Sequence, residues 1–339
     1  MFKILLAYGI PPKIVEAIKI MYENNSVLTQ EGETEYFKIK TGVLQGDPLA
    51  PFLFIIVLDY ALRKAIDKSD GLTLSRRRSR RHPSVHLADL DFADDIVLID
   101  ESIREAERVL HKVELATQSI GLFLNVQKTK YMHMNSTSNQ SFRTVDGSEL
   151  ELVEDFEYLG SYSETTTEVN RRIGQAWSSL NRHEKCWKSN ISNRTKLKIF
   201  DATTISFLLY ACESWSLNKS LERKIDGSYT RMLRRVKNIN PLSHTTNRAL
   251  YGKRPPISKV IQNRRLRLAG HVARGNEPAT KLLFWEPEKP KRIGRPTKTI
   301  SKLIKEDTGL EEGELFQLMQ NRDRWREHIM SPKWMLKVK

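Results

Sequence analysis

Two adjacent carboxylates, Asp94 and Asp95, stand at a sharp break between two segments that favour strand. On one side Leu90 and Phe92 alternate with Asp89 and Asp91; on the other, residues 96–99 form a short apolar run rich in β-branched residues. This pattern predicts a β-hairpin with acid at its tip and with both arms held rigid by burial. Paired carboxylates repel each other and resist burial unless a cation sits between them. Hard oxygen ligands of this kind suit Mg²⁺ or Mn²⁺. A surface hairpin with solvated aspartates is also compatible with these residues, because Asp is a common turn residue.

A second feature lies upstream. In Gly42-Val43-Leu44-Gln45-Gly46-Asp47-Pro48, glycines frame a polar Gln, and Asp47 followed by Pro48 predicts an N-cap with Pro at the first helical position. Leu49, Phe52, Leu53 and Ile56 follow at helical spacing, and Asp59 and Arg63 return the helix to solvent. Together the loop and the hairpin resemble the palm of a reverse transcriptase: the loop is similar to that family's motif B, Gly-x-x-Gln-Gly, and Phe92-Ala93-Asp94-Asp95 to its motif C. Further segments follow in the family's order. Residues 121–130 resemble motif D and Phe156-Glu157-Tyr158-Leu159-Gly160 resembles motif E, the primer-grip hairpin; taken singly, the first reads as an ordinary strand end and the second as a buried aromatic strand. The stretches 209–215 and 264–272 resemble, more loosely, the region beyond the polymerase in non-LTR retrotransposons of the endonuclease-plus-reverse-transcriptase type.

The resemblance implies template-directed DNA synthesis with an RNA template and a DNA primer or duplex as partners. Two Mg²⁺ ions (or Mn²⁺) about 3.5 to 4 Å apart serve that reaction. By resemblance Asp94 is the direct metal ligand, with Asp95 beside it and Phe92 near the primer end. Gln45 and Gly46 lie against the template base and incoming nucleotide, and Lys128 near the triphosphate. The family takes a further carboxylate from motif A, on a strand upstream of the Gln45 loop. No Asp precedes Asp47, and Glu16, Glu23, Glu31, Glu33 and Glu35 lack an apolar strand context. Ala50 also stands where the family usually has Ser. The chain is therefore expected to begin inside the palm and to lack polymerase activity by itself. The competing expectation is a non-catalytic nucleic-acid-binding protein derived from such an element.

Composition agrees with a polyanionic partner. Across 339 residues, 56 Lys+Arg against 41 Asp+Glu give a net charge of +15, and the pI is near 9.7. No apolar run approaches the roughly 20 residues that span a bilayer, and residues 1–10 lack a basic start and cleavage site. A nuclear or cytoplasmic protein, not a secreted or membrane one, is expected. Two cysteines, Cys186 and Cys212, make no disulfide framework.

The expected fold class is α+β. Residues 1–160 form a partial palm, an antiparallel sheet with helices on one face, including helices over 12–22 and over 102–120, the latter ending at Gly121. Residues 161–239 form a helical thumb with helices over 169–188, 196–210 and 219–237. Residues 240–339, punctuated by Pro, form a small basic module. Candidate nucleic-acid contacts are Arg171, Arg172, Lys185 and Lys188 in the thumb, and Arg264, Arg265, Arg267 and Arg295 beyond it. Gly294-Arg295-Pro296 reads either as a minor-groove hook or as a plain basic linker. The arginines between 76 and 81 read as a phosphate-contacting or nuclear-import patch, or as a solvated loop.

Overall fold

Apolar residues at helical spacing build the first core. Helix α1 (Phe2–Ala7), α2 (Pro12–Glu23) and α3 (Ala50–Ala65) bring together Leu5, Val15, Ile18, Tyr22 and Leu53. The structure is a computed structural model that describes the chain apart from residues 24, 31, 40, 68–69, 77–78, 80, 82, 135–139, 241, 276–277, 286–298 and 331–339. Arg295 and the hook tripeptide, with Arg77, Arg78 and Arg80, lie outside the described residues. Contacts divide the chain into two units, Met1–Glu154 and Asp155–Lys339.

In the first unit, strands β1 (Leu28–Thr29) and β2 (Gly32–Glu33) pair antiparallel, as do β3 (Leu72–Ser75) and β4 (Val85–Leu87). The acidic segment is the expected hairpin, β5 (Asp89–Phe92) against β6 (Asp95–Leu98). Helix α4 (Ile103–Gln118) then packs Val109 and Val113 against Leu58 and Leu62 of α3, with Ile96 and Leu98 of the hairpin in the same core. The hairpin thus has helices on one face. Arg108 and Lys112 fix α4 further through ion pairs to Asp70 (2.6 Å) and Asp67 (2.7 Å). Strand β7 (Lys130–Tyr131) runs parallel to β8 (Glu151–Leu152). The class is α+β, but among the described residues the strands form separate two-stranded ladders, not one continuous sheet.

Helix α3 begins later than the sequence predicts. Its N-cap is Leu49, without a side-chain cap, and Pro51 rather than Pro48 occupies the first turn. Asp47 caps the preceding turn, where its Oδ1 accepts from the Leu49 N–H at 3.0 Å and its carbonyl from the Ala50 N–H at 3.1 Å.

The second unit opens on hairpin β9 (Glu157–Tyr158) and β10 (Ser161–Tyr162) and continues as helices. Helix α5 (Thr165–Arg182) stops at His183 and resumes as α6 (Glu184–Lys188). The second expected helix is also interrupted: α7 (Asn193–Phe200) passes through a π-helical turn at Asp201–Ile205 into α8 (Ser206–Leu208). Helix α9 (Lys219–Val236) matches its expected span to one residue, capped by Asn218, whose side chain accepts from the Leu221 N–H at 2.9 Å. Val169, Leu180, Trp187, Phe200, Trp215, Ile225 and Met232 form its core, which also takes Leu250 of α10 (Asn247–Tyr251) and Ile257 and Ile261 of α11 (Ile257–Ala273).

The far half of α11 turns to a second core. Leu266, Ala269 and Ala273 meet α12 (Pro278–Leu283), α13 (Ile300–Thr308), α14 (Glu312–Gln320) and α15 (Arg322–Met330) around Ile304, Leu315, Met319 and Trp325. One helix therefore belongs to both cores, and residues on either side of position 240 pack together in the first.

Candidate active site

The hairpin register decides what its tip presents. Asp91 pairs with Ile96 and Asp89 with Leu98, while Leu90 pairs with Val97 and Phe92 with Asp95. Directly opposed residues share a face. Because Ile96 and Leu98 turn into the helical core, Asp89 and Asp91 lie on the helix-facing side. Leu90 and Phe92 occupy the open face, Phe92 with 64% of its surface exposed. This reverses the expected assignment of the near arm, in which Leu90 and Phe92 supply the burial. The apolar run of the far arm could bury either face, and the register selects Ile96 and Leu98.

At the tip, Asp94 and Asp95 are exposed. Ala93 turns the chain with φ of +54°, the left-handed region. A non-glycine residue held there costs about 1–3 kcal/mol, and such strain persists where packing over-determines it. Here the ladder and the helices behind it supply that constraint.

Asp91 is a titratable group with no assigned role in the sequence reading. Asp91 keeps solvent-exposed surface, but its carboxyl is raised to about 7, first by partial desolvation, then by a hydrogen bond with Asp89 and by the negative charges of Asp89 and Asp59. The signal was available, since residues two apart on a strand share a face. Below the unfolded-state value near 4 both states hold the proton; between about 4 and 7 only the folded state does. Stability of the first unit is therefore expected to fall as pH rises through that window. Asp91→Asn should flatten the dependence in urea titrations at a series of pH values; an unchanged slope in the variant would refute the assignment.

The Gln45 loop is held from beneath. The Leu44 N–H donates to the hydroxyl of buried Tyr22 at 3.4 Å, and Asp47 anchors the following turn. Between these ties Gln45 and Gly46 are exposed. Gly46 has φ of +93°, which a side chain would strain, so the bare backbone is a requirement of the turn. Lys128 is exposed in a turn closed by its own N–H, which donates to the Asn125 carbonyl at 3.1 Å.

In the second unit the expected cationic contacts separate into two groups. Lys185, Lys188 and Arg267 are exposed, Lys188 in an ion pair with Glu184 at 3.0 Å. Arg264 is half-buried and donates to the Leu209 carbonyl at 3.1 Å. Arg172 and Arg265 are buried. Arg172 bonds Glu168 and the Gly160 carbonyl and lies over the Tyr210 ring, while Arg265 donates to Asp307 (3.1 Å) and to the Trp215 carbonyl (2.8 Å). The guanidinium groups of these two are thus engaged within the protein. Arg171 is largely engaged too, by Glu157 at 2.9 Å and by Glu168.

Comparison with known proteins agrees with this architecture. The family model described as reverse transcriptase (RNA-dependent DNA polymerase) matches residues 1–163. A transposon-derived protein of Caenorhabditis elegans is 28% identical over 242 residues, 66% of this chain and 86% of the relative. The retrovirus-related Pol polyprotein of the R2 retrotransposable element of Popillia japonica is 24% identical over 254 residues, 72% of this chain and 40% of the polyprotein. The corresponding R2 polyprotein of Drosophila melanogaster is 33% identical over 126 residues, 37% of this chain and 11% of the polyprotein. The chain thus matches less than half the length of these polyproteins. Among the described residues no helix is long and apolar enough to cross a membrane. Residues 1–163 are a reverse transcriptase domain, and the chain that carries them is homologous to the Pol polyproteins of R2 non-LTR retrotransposons.

Proposed function

We propose that this chain is the palm and thumb portion of a retroelement RNA-directed DNA polymerase, and that by itself it binds nucleic acid without extending a primer. The observation that carries the reading is the exposed pair Asp94 and Asp95 on a hairpin braced by two helices. A pair of carboxylates matches the ligand set of Mg²⁺, which takes one or two protein carboxylates and fills its remaining positions with water and substrate phosphate. Asp94 and Asp95 would hold such an ion, which when bound activates the primer hydroxyl and neutralises charge on the leaving pyrophosphate. Gln45 and Gly46 would lie against the template base and incoming nucleotide, Phe92 would pack near the primer end, and Lys128 would approach the triphosphate.

One strand's carboxylates cannot fix both ions of a two-metal site, which supports the second half of the proposal. Primer extension on an RNA template with Mg²⁺ or Mn²⁺ should give no incorporation above background. Template-dependent incorporation that disappears in Asp94→Asn would show the chain to be self-sufficient and overturn that half.

Binding to an RNA–DNA hybrid is expected to survive and to be dominated by phosphate contacts, given the net charge of +15. The slope of log affinity against log salt should be about −0.7 to −0.9 for each phosphate neutralised. A folded sample that binds nothing at low salt would refute the nucleic-acid reading altogether.

A further inference from the structure

The geometry points to a second nucleic-acid contact, in the second unit: a cleft of about 410 Å³ that receives one unpaired base of a single strand. It is lined by Gly160 at the β9–β10 turn, by Arg171 and Arg172 of α5, and by Phe207 and Tyr210 at the end of α8, with Glu157 at its edge. The inference rests on the nucleic-acid reading above and adds to it a site and a ligand.

Phe207 and Tyr210 are 42% and 48% exposed, whereas Leu208 and Leu209 between them are buried. Two large rings three residues apart therefore stand in solvent beside a fully packed core. The Tyr210 ring is also immobilised: its hydroxyl donates to the Leu159 carbonyl at 2.8 Å, and the Arg172 guanidinium lies 4.3 Å over its centre. Arg172 is in turn fixed by Glu168 and by the Gly160 carbonyl. Holding an exposed ring in one orientation stabilises the fold little, but it lowers the ordering cost of anything that stacks on it.

The backbone around the cleft is irregular in the same places. Leu159 and Ala211 both have left-handed φ, +50° and +54°, and the π-helical turn Asp201–Ile205 ends two residues before Phe207. Single π turns inside helices concentrate at functional sites. Together they place the aromatic pair at the rim of the cleft.

The local charge identifies the kind of contact. Arg171 and Arg172 are matched by Glu157 and Glu168, so the cleft has no surplus charge for a phosphate. It offers π faces instead, with a guanidinium and a carboxylate at the edge. A base within a duplex has both faces covered; an unpaired base presents one, and stacking on an aromatic platform tolerates any base. The chain's charge of +15 draws in the strand, and the cleft engages the base.

The test uses the full chain and its Phe207→Ala variant, titrated with short oligothymidylate, oligouridylate and a duplex at several salt concentrations. We expect single-strand affinity to fall roughly five- to hundredfold with an unchanged salt slope, and duplex affinity to stay as it was. Loss confined to the oligothymidylate or the oligouridylate identifies the occupying strand as DNA or RNA. Phe207→Leu, which keeps apolar bulk without a π face, should lose single-strand binding similarly and is decisive if the alanine variant melts early. Equal losses on duplex and single strand, or an unchanged single-strand affinity, would overturn the cleft alone. A folded wild type that binds no nucleic acid would overturn both this inference and the proposed function.

Discussion

Glu168→Ala is expected to destabilise the second unit by about 3–5 kcal/mol, the usual cost of removing one member of a buried ion pair. Glu168 is completely buried. Its carboxylate accepts from the Tyr162 N–H at 3.1 Å, from Arg171 Nε at 3.1 Å and from Arg172 Nε. Without it, the charge of Arg172 is left buried and uncompensated, and the β9–β10 hairpin loses one of its ties to α5, the bond from the Tyr162 N–H. Burial alone would raise the Glu168 carboxyl, but the bonds from Arg172 and the Tyr162 N–H outweigh it and hold the carboxyl below the usual range. For a lowered acid, the stabilisation is present above the unfolded-state value, near 4.3, and is lost as pH falls through the folded-state value. Urea titrations should therefore show wild type and Glu168→Gln converging as the solution is acidified below that value. A loss under about 1 kcal/mol near neutral pH would show that the pair is not the tie described.

The second large effect is at Gly270, on the face of α11 that meets α15. A Cβ built there would lie 2.1 Å from Nε1 and 2.3 Å from Cδ1 of Trp325. The indole cannot yield easily: it is buried, and its N–H donates to the Leu266 carbonyl at 3.0 Å. Gly270→Ala must displace the ring, at an overpacking cost of about 1–3 kcal/mol, and leave a buried donor without its partner, at a similar cost. Thermal unfolding should come some 5–15 °C earlier. Combining Gly270→Ala with Trp325→Ala removes the clashing ring, so the double variant should lose less stability than the sum of the two single changes. A melting temperature unchanged in the single variant would refute this account of why glycine occupies the position.

The acidic hairpin, the Gln45 loop, the helices over 12–22 and 102–120 and the three basic helices were legible because each rests on local signals: period, proline, β-branching and turn residues. The faces were harder to read. Of the apolar positions in α2, Val15 and Ile18 are buried, whereas Ile14 and Met21 face solvent and Tyr22 takes the core position. The stripe is wider than the core it meets. The break at His183 and the π turn at Asp201 left no trace in the apolar pattern, which continues across both.

Arg172 and Arg265 show the limit most clearly. In a sequence each belongs to a run of cations, and charge runs usually face water. Their partners lie elsewhere in the chain, Asp307 being 42 residues and the Trp215 carbonyl 50 residues from Arg265. Local periodicity carries no information about such pairs; only packing brings them within reach and removes the water that would otherwise solvate them. By itself the sequence determined the acidic hairpin, the Gln45 loop and the course of the main helices before residue 240, and which carboxylates stand at the hairpin turn, because those follow from backbone preference and side-chain spacing within a few residues. The tertiary structure alone decided which face of the hairpin is buried, which arginines face solvent, and that Phe207 and Tyr210 share a cleft with the β9–β10 turn, because register, ion pairing and burial depend on contacts between distant residues.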